Sequence, residues 1–185
     1  MSNSSEQSAG NISDVNFREI NELPVKARIK EICIDYLVIL AYLLLLFAVS
    51  MGVYSLLFRG IPSIGELETQ LISAFLSVIP IILIFSYLDY AKSGSIGKRI
   101  AGLKLVYKRK SVQASLIRNI IKFLPWQLGH TSAIHGIYSG YDGIAVALSV
   151  ASMALAFVLI CMIFFRKDKR HLGDILAKTR VQCQK

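Results

Sequence analysis

Long apolar runs separated by short polar stretches dominate the sequence. Residues 36–58, 71–88 and 143–165 contain no charged side chain. A helix needs about 20 predominantly apolar residues to cross a bilayer core of roughly 30 Å. The pattern therefore predicts membrane spans at about 32–58, 71–88 and 143–165. Pro80 lies within the second run, where we expect a kinked helix whose freed carbonyl is satisfied by a neighbour.

Residues 112–141 are less apolar and have two interpretations. Arg118 and Lys122 lie four residues apart, so they share one helical face. The segment suits either an amphipathic helix on the membrane surface or a crossing that is shielded by other helices. A crossing at about 118–138 would be irregular around Pro125, Gly129 and His130.

The basic stretches on either side favour the crossing. Residues 91–111 carry seven basic and no acidic residues, and residues 166–185 carry seven basic against two acidic. Cytoplasmic loops of membrane proteins are enriched in Lys and Arg. If both stretches are cytoplasmic, the chain between them crosses an even number of times, so 118–138 becomes a third span before 143–165.

These expectations define an all-α membrane protein, a bundle of four membrane segments whose third is amphipathic and irregular. Residues 1–23 are predicted to form a disordered cytoplasmic tail, and residues 24–185 a membrane domain with both termini cytoplasmic. Leu103–Tyr107 alternates in polarity and Thr179–Val181 is strand-like, so two short strands are expected in a small basic cytoplasmic element.

Composition agrees with a membrane protein, at 54% hydrophobic and 18% charged residues. The net charge of +9 would suit nucleic acid, but the basic residues flank apolar runs. We therefore expect anionic lipid headgroups at the basic loops rather than nucleic acid. Cys33, Cys161 and Cys183 show neither disulfide nor zinc spacing. Neither a cofactor motif nor a nucleophile–base set is present, so we expect no enzyme, metal or cofactor.

Asp35 is the leading candidate for a functional residue, because it begins the first apolar run. A charged residue inside a membrane helix costs a few kcal/mol and is usually paired. One interpretation is a structural ion pair with Arg118 or Lys122. The other is a proton or cation site at Asp35.

Other polar residues receive structural expectations. Arg28 lies seven residues before Asp35, about 10 Å along a helix, so we expect it to pair with Asp174 instead. Asp89 should pair with loop lysines and Asp142 should cap the last span. His130 and His135 are expected in a polar turn, without a third ligand for a metal.

The stretch Gly97-Lys98-Arg99 lacks the residues of a phosphate-binding loop. We interpret it as a basic interfacial loop that contacts anionic lipid, with Lys98 at the surface. Gly97 and Gly102 would permit a tight turn and a close approach to a helix.

Three pieces together resemble the RDD family of small membrane proteins. They are Arg28 with Asp35; Gly97-Lys98-Arg99-Ile-Ala-Gly102 followed by Arg118; and the stretch from His171 through Asp174 to Val181. The resemblance implies that Arg28, Asp35 and Asp174 are the functional residues. In the family's commonest form His and Asp are adjacent and Gly stands at position 178, so no role for His171 is implied.

Family resemblance implies a bundle of a few membrane helices with a role in transport, and some relatives are linked to cation or proton exchange. We expect an integral membrane protein that transports a small solute, cation or proton, as an oligomer in a bacterial cytoplasmic membrane. The competing hypothesis is a membrane scaffold or assembly factor whose charges are structural.

Overall fold

The structure is a computed structural model that describes residues 23–58 and 63–184. The chain divides into two compact units. The first comprises the described residues up to Asp35, together with Ile84–Lys122 and the residues from Leu159 onwards. The second comprises Tyr36–Leu83 and Phe123–Val158. The predicted tail at 1–23 lies outside the described residues, except for Leu23.

Three long apolar helices lie where three of the membrane spans are predicted. Helix α1, Val25–Val53, continues into a π-helical turn at Tyr54–Phe58. Helices α2 (Glu66–Ser73) and α3 (Ile79–Lys92) are joined by a second π-helical turn at Ala74–Val78. The segments Val25–Leu57, Glu66–Lys92 and Gly143–Phe165 are each long and apolar enough to cross a membrane.

Pro80, where a kink is expected, lies in the first turn of α3, just after the π-helical turn at Ala74–Val78. A proline removes the bond to the carbonyl four residues earlier, which here is Leu76. The Tyr42 hydroxyl donates to that carbonyl at 2.6 Å. The expectation that a neighbouring helix satisfies the freed carbonyl is therefore confirmed.

The segment between the basic stretches is one uninterrupted helix. After the short helix α4 (Ile96–Ile100), helix α5 runs for 28 residues, Val112–Ser139, straight through Pro125. The predicted irregular backbone is wrong, because a proline removes only one intrahelical bond and the helix is continuous on both sides. The Ser152 hydroxyl donates to the Pro125 carbonyl at 2.6 Å. Helix α6, Gly143–Phe165, follows after a short turn.

A two-stranded antiparallel sheet in the first unit confirms both predicted strands. Strand β1, Leu103–Tyr107, pairs with β2, Thr179–Cys183, and the short helix α7, Leu172–Leu176, precedes β2. The inward residues Leu103, Leu105, Tyr107 and Val181 form a small apolar core. Alternation in polarity predicts such strands because successive side chains point to opposite faces.

Residues with positive φ lead into each strand. Gly102 has φ +70° immediately before β1, and Lys178 has φ +52° immediately before β2. This backbone region is easily adopted only by glycine, and lysine is strained there. A glycine at position 178 would relieve that strain.

Candidate functional site

Helix α1 presents one charged face within the first unit. Arg28, Glu31 and Asp35 are all buried, while their neighbours Ile29, Lys30 and Cys33 are exposed. Spacings of three and four residues place side chains on a single helical face. Three ionisable side chains are thereby buried from one helix, which requires partners supplied by other segments.

The first partner comes from the short helix α4. Glu31 accepts from Arg28 at 2.8 Å and pairs with the Lys98 ammonium at 3.3 Å. Lys98 is 0% exposed and also pairs with Asp89, near the end of α3, at 3.3 Å. The prediction that Asp89 pairs with a loop lysine is confirmed. The prediction of Lys98 as a surface residue that contacts lipid is wrong, because its charge neutralises two buried carboxylates.

Arg118 continues the series from helix α5. Its guanidinium contacts Asp89 and Asp174, both at an N–O distance of 2.7 Å. Asn119 donates a further bond to Asp89 at 3.1 Å, and the Thr179 hydroxyl donates to Asp174 at 2.9 Å. Cations and anions therefore alternate along one continuous run. We call it the ion chain: Arg28, Glu31, Lys98, Asp89, Arg118 and Asp174.

The predicted pair between Arg28 and Asp174 is wrong. Arg28 donates to Glu31 and to the carbonyl of Lys169 at 3.0 Å. Asp174 takes its direct partner from α5 instead, at Arg118. Arg28 still ties the C-terminal segment to the start of α1, but through a backbone carbonyl rather than through an opposite charge.

Asp35 lies beside the ion chain with its own set of donors. The Ser95 hydroxyl donates to its Oδ2 at 2.8 Å and the Gly97 amide to its Oδ1 at 2.9 Å. The Lys122 ammonium lies 3.3 Å from Oδ2. Of the two partners considered for Asp35, the structure brings Lys122 to it and places Arg118 elsewhere.

Close backbone packing explains the two glycines of the loop. A Cβ at Gly97 would lie 2.3 Å from the Glu31 carbonyl oxygen and 2.6 Å from Asp35 Oδ1. Only glycine therefore lets this loop approach α1 closely enough for its amide to reach Asp35. Gly102 has open space around it and serves the turn into β1. Both structural expectations for these glycines are confirmed.

His171 lies beside Asp174 although the family resemblance implied no role for it. Its Nδ1 accepts from the Gly173 amide at 3.0 Å, and its Nε2 lies 3.3 Å from Asp174 Oδ2. An accepting Nδ1 assigns the neutral ring with its proton on Nε2. Burial lowers the pKa of His171 to about 4, opposed by the charge of Asp174 and reinforced by Arg118, Lys122 and Arg28.

Asp174 remains ionised beside it. Burial alone would raise the pKa of this carboxyl, but the charges of Arg118 and Arg28 outweigh burial and hold the pKa well below its ordinary range. The C-terminal segment thus joins the ion chain through the ionised carboxylate of Asp174, which lies beside the neutral ring of His171.

Because His171 is buried with a lowered pKa, we expect the first unit to lose stability in acid. The pKa of His171 is lowered from 6.5 to about 4, so the unfolded chain binds its proton first as the pH falls. Between pH 7 and 5 the free energy of unfolding should drop by about 2 kcal/mol. Thermal unfolding of the detergent-solubilised protein at both pH values measures this. The variant His171→Asn keeps an acceptor for the cap, and in it the free energy of unfolding should change little between pH 7 and 5. An unchanged pH dependence in this variant would contradict the assignment of the effect to His171.

The second unit contains a separate polar cluster. His135 Nδ1 lies 2.8 Å from Glu66 Oε1, and its Nε2 lies 3.3 Å from Asp142. Asp142 also accepts from the Ala145 amide at 2.9 Å, which confirms its predicted role as the cap of the last span. The predicted polar turn is wrong, because His135 lies within α5.

The other histidine and the tryptophan also lie on α5 in this unit. His130 contacts the Ser73 hydroxyl at 3.2 Å, and the Trp126 ring packs against it with centroids 5.5 Å apart. Among residues 23–58 and 63–184, no group of three His, Cys, Asp or Glu side chains is arranged to hold a metal ion.

Several members of the buried charge set escaped sequence reasoning. Glu31 was not considered, although its spacing of three residues from Arg28 and four from Asp35 places it on their face. Lys98 was assigned to the surface, since nothing local distinguishes it from Arg99. Ser95, Asn119 and Thr179 carry no charge, and only their neighbours in space identify them.

The comparisons with known proteins identify the family of the chain. No curated protein and no solved structure matched the chain. The profile of the RDD family matches residues 24–178, which include every member of the ion chain together with Asp35 and Lys122. Three apolar helices of spanning length accompany that match. The chain belongs to the RDD family and has the character of an integral membrane protein.

Proposed function

We propose that the chain exchanges a small monovalent cation for a proton at Asp35 and Lys122. One observation supports this most: Asp35 is paired with a lysine, and a lysine can release its proton. The guanidinium of Arg118 holds Asp89 and Asp174, and arginine is not deprotonated in proteins. The titratable pair is therefore the one suited to exchange, while the arginine pairs are permanent.

The neutral donors around Asp35 support the same assignment. Ser95 and Gly97 donate to the carboxylate independently of Lys122, so they continue to hold it in place when the Lys122 ammonium moves away. The Lys122 side chain is 27% exposed, whereas that of Asp35 is 4% exposed. An incoming cation that binds the Asp35 carboxylate displaces the ammonium, which becomes the amine and releases one proton. The site as a whole stays electrically neutral, because the bound cation replaces the positive charge that Lys122 loses with its proton.

Vesicles containing the purified protein test this function. We expect an imposed proton gradient to drive uptake of Na⁺ or K⁺, and both Asp35→Asn and Lys122→Gln to reduce uptake per folded protein to the level of empty vesicles. Lys30→Gln, an exposed charge on the same helix, is the control and should transport normally. No flux above empty vesicles for the unmodified protein would rule the exchange out.

A membrane scaffold is the second candidate, and the charge balance favours it. The buried set is electrically neutral, because four acidic side chains meet four basic ones. Buried ion pairs often serve to specify packing rather than chemistry. Under this function, Asp35→Asn would lower only the amount of folded protein. The set comprises Glu31, Asp35, Asp89 and Asp174 with Arg28, Lys98, Arg118 and Lys122.

We further infer that α5 is a fourth membrane crossing, and that residues 91–111 and 166–184 lie on the cytoplasmic side of a bacterial cell membrane. Its 28 residues extend about 42 Å, and the basic stretches flanking α5 and α6 support the orientation. Four membrane segments are few to enclose a permeation pathway, so we expect the protein to form an oligomer. Reporters fused after Gly140 should be active outside, and those after Lys185 inside. A cytoplasmic Gly140 would refute the crossing.

A further inference from the structure

The surface of the first unit carries a charge very different from that of its interior. Four of its acidic residues are buried in ion pairs, and the fifth described one, Asp168, is partly buried against Arg166. Among the described residues of this unit no acidic side chain is exposed. Its exposed basic side chains include Lys30, Lys92, Arg99, Lys108, Arg109 and Lys110.

This surface lies where long helices begin and end. The first turn of α1, the last turn of α3, the first turn of α5 and the last turn of α6 all belong to the first unit. Helix ends of membrane proteins lie at the headgroup level of the bilayer. The basic side chains therefore surround the level at which lipid phosphates occur.

Exposed apolar side chains accompany the basic ones. Ile29, Ile100, Val112 and Leu176 are each about half exposed, between 48% and 59%. The phosphate backbone of a nucleic acid and the carboxylates of an acidic soluble protein would pair with the basic side chains but would leave these aliphatic side chains without apolar contacts. The boundary between acyl chains and headgroups accommodates both kinds, because aliphatic groups enter the apolar layer while amines reach the phosphates.

We propose that the exposed basic surface of the first unit binds the headgroups of anionic phospholipids. Internal pairing makes this surface selective, because among the described residues of the unit it leaves no fully exposed carboxylate that would repel a phosphate. The turn Lys108-Arg109-Lys110, between β1 and α5, is its densest part. Each Lys or Arg near an anionic surface strengthens the association with anionic lipids.

Reconstituted full-length protein tests this with spin-labelled lipids. The association constant of phosphatidylglycerol should exceed that of phosphatidylcholine several-fold, and 0.5 M NaCl should remove most of the difference. The variant Lys108→Gln/Arg109→Gln/Lys110→Gln should bring the ratio close to one, because it removes the densest part of the basic surface. The matched variant Lys108→Arg/Arg109→Lys/Lys110→Arg should keep it, and equal unfolding temperatures establish that both triple variants are folded.

Two outcomes would overturn the proposal. One is an equal association constant for the two lipids with the unmodified protein. The other is effective competition by free inorganic phosphate or by an oligonucleotide at millimolar concentration, since the surface would then bind anions in general rather than a bilayer.

Discussion

Replacing Arg118 with glutamine should cost the protein most or all of its folded population. The side chain is 2% exposed and contacts Asp89 and Asp174 at 2.7 Å each. Removing one member of a buried ion pair costs about 3–5 kcal/mol, because the remaining charge is left uncompensated. Here two carboxylates would lose their shared cation, and a domain is typically stable by only about 5–15 kcal/mol.

Arg166 supplies a matched control for this substitution. It too binds an aspartate, Asp168, at 2.9 Å, but its side chain is 45% exposed. Exposed pairs contribute about 0–1 kcal/mol, so Arg166→Gln should leave folding nearly unchanged. Yield of monodisperse protein and unfolding temperature in detergent distinguish the two. Equal behaviour of Arg118→Gln and Arg166→Gln would show that the ion chain does not stabilise the fold.

A single methyl group at Gly97 should have the second-largest effect. The added Cβ of Gly97→Ala would overlap the Glu31 carbonyl oxygen at 2.3 Å and Asp35 Oδ1 at 2.6 Å. The backbone at position 97 must then move away from α1, which breaks the hydrogen bond that its amide donates to Asp35. Overpacking costs about 1–3 kcal/mol and a hydrogen bond to a charged group about 1.5–3 kcal/mol, so we expect a loss of roughly 3–5 kcal/mol.

Gly102→Ala separates this close approach from backbone strain. Gly102 has φ +70° but nothing within 4 Å of an added Cβ. Its substitution should cost only the left-handed strain of about 1–2 kcal/mol. Unfolding temperatures of both variants measure the difference. If Gly102→Ala were the more damaging one, packing against α1 would not be the reason for glycine at position 97.

Local signals predicted the helices and strands accurately. Uncharged runs of spanning length predicted three of the long helices. Alternation in polarity predicted β1 at Leu103–Tyr107, and strand-like residues at Thr179–Val181 predicted β2, which extends to Cys183. These features depend on residues that are neighbours along the chain, so the sequence contains them directly. The sequence did not predict where α5 ends or that it continues through Pro125, because one proline is compatible with either a break or a continuous helix.

The sequence by itself determined which charged residues lie within or beside the apolar segments, and on that ground it indicates Asp35 with Arg118 or Lys122. The family resemblance adds Arg28 and Asp174. Only the tertiary structure decided the pairing: Arg118 with Asp89 and Asp174, Lys122 with Asp35, and Lys98 inside rather than at the surface. The physical reason is that the strength of an ion pair depends on distance in space and on burial. Most of these partners lie far apart along the chain, and the fold alone brings them within about 3 Å.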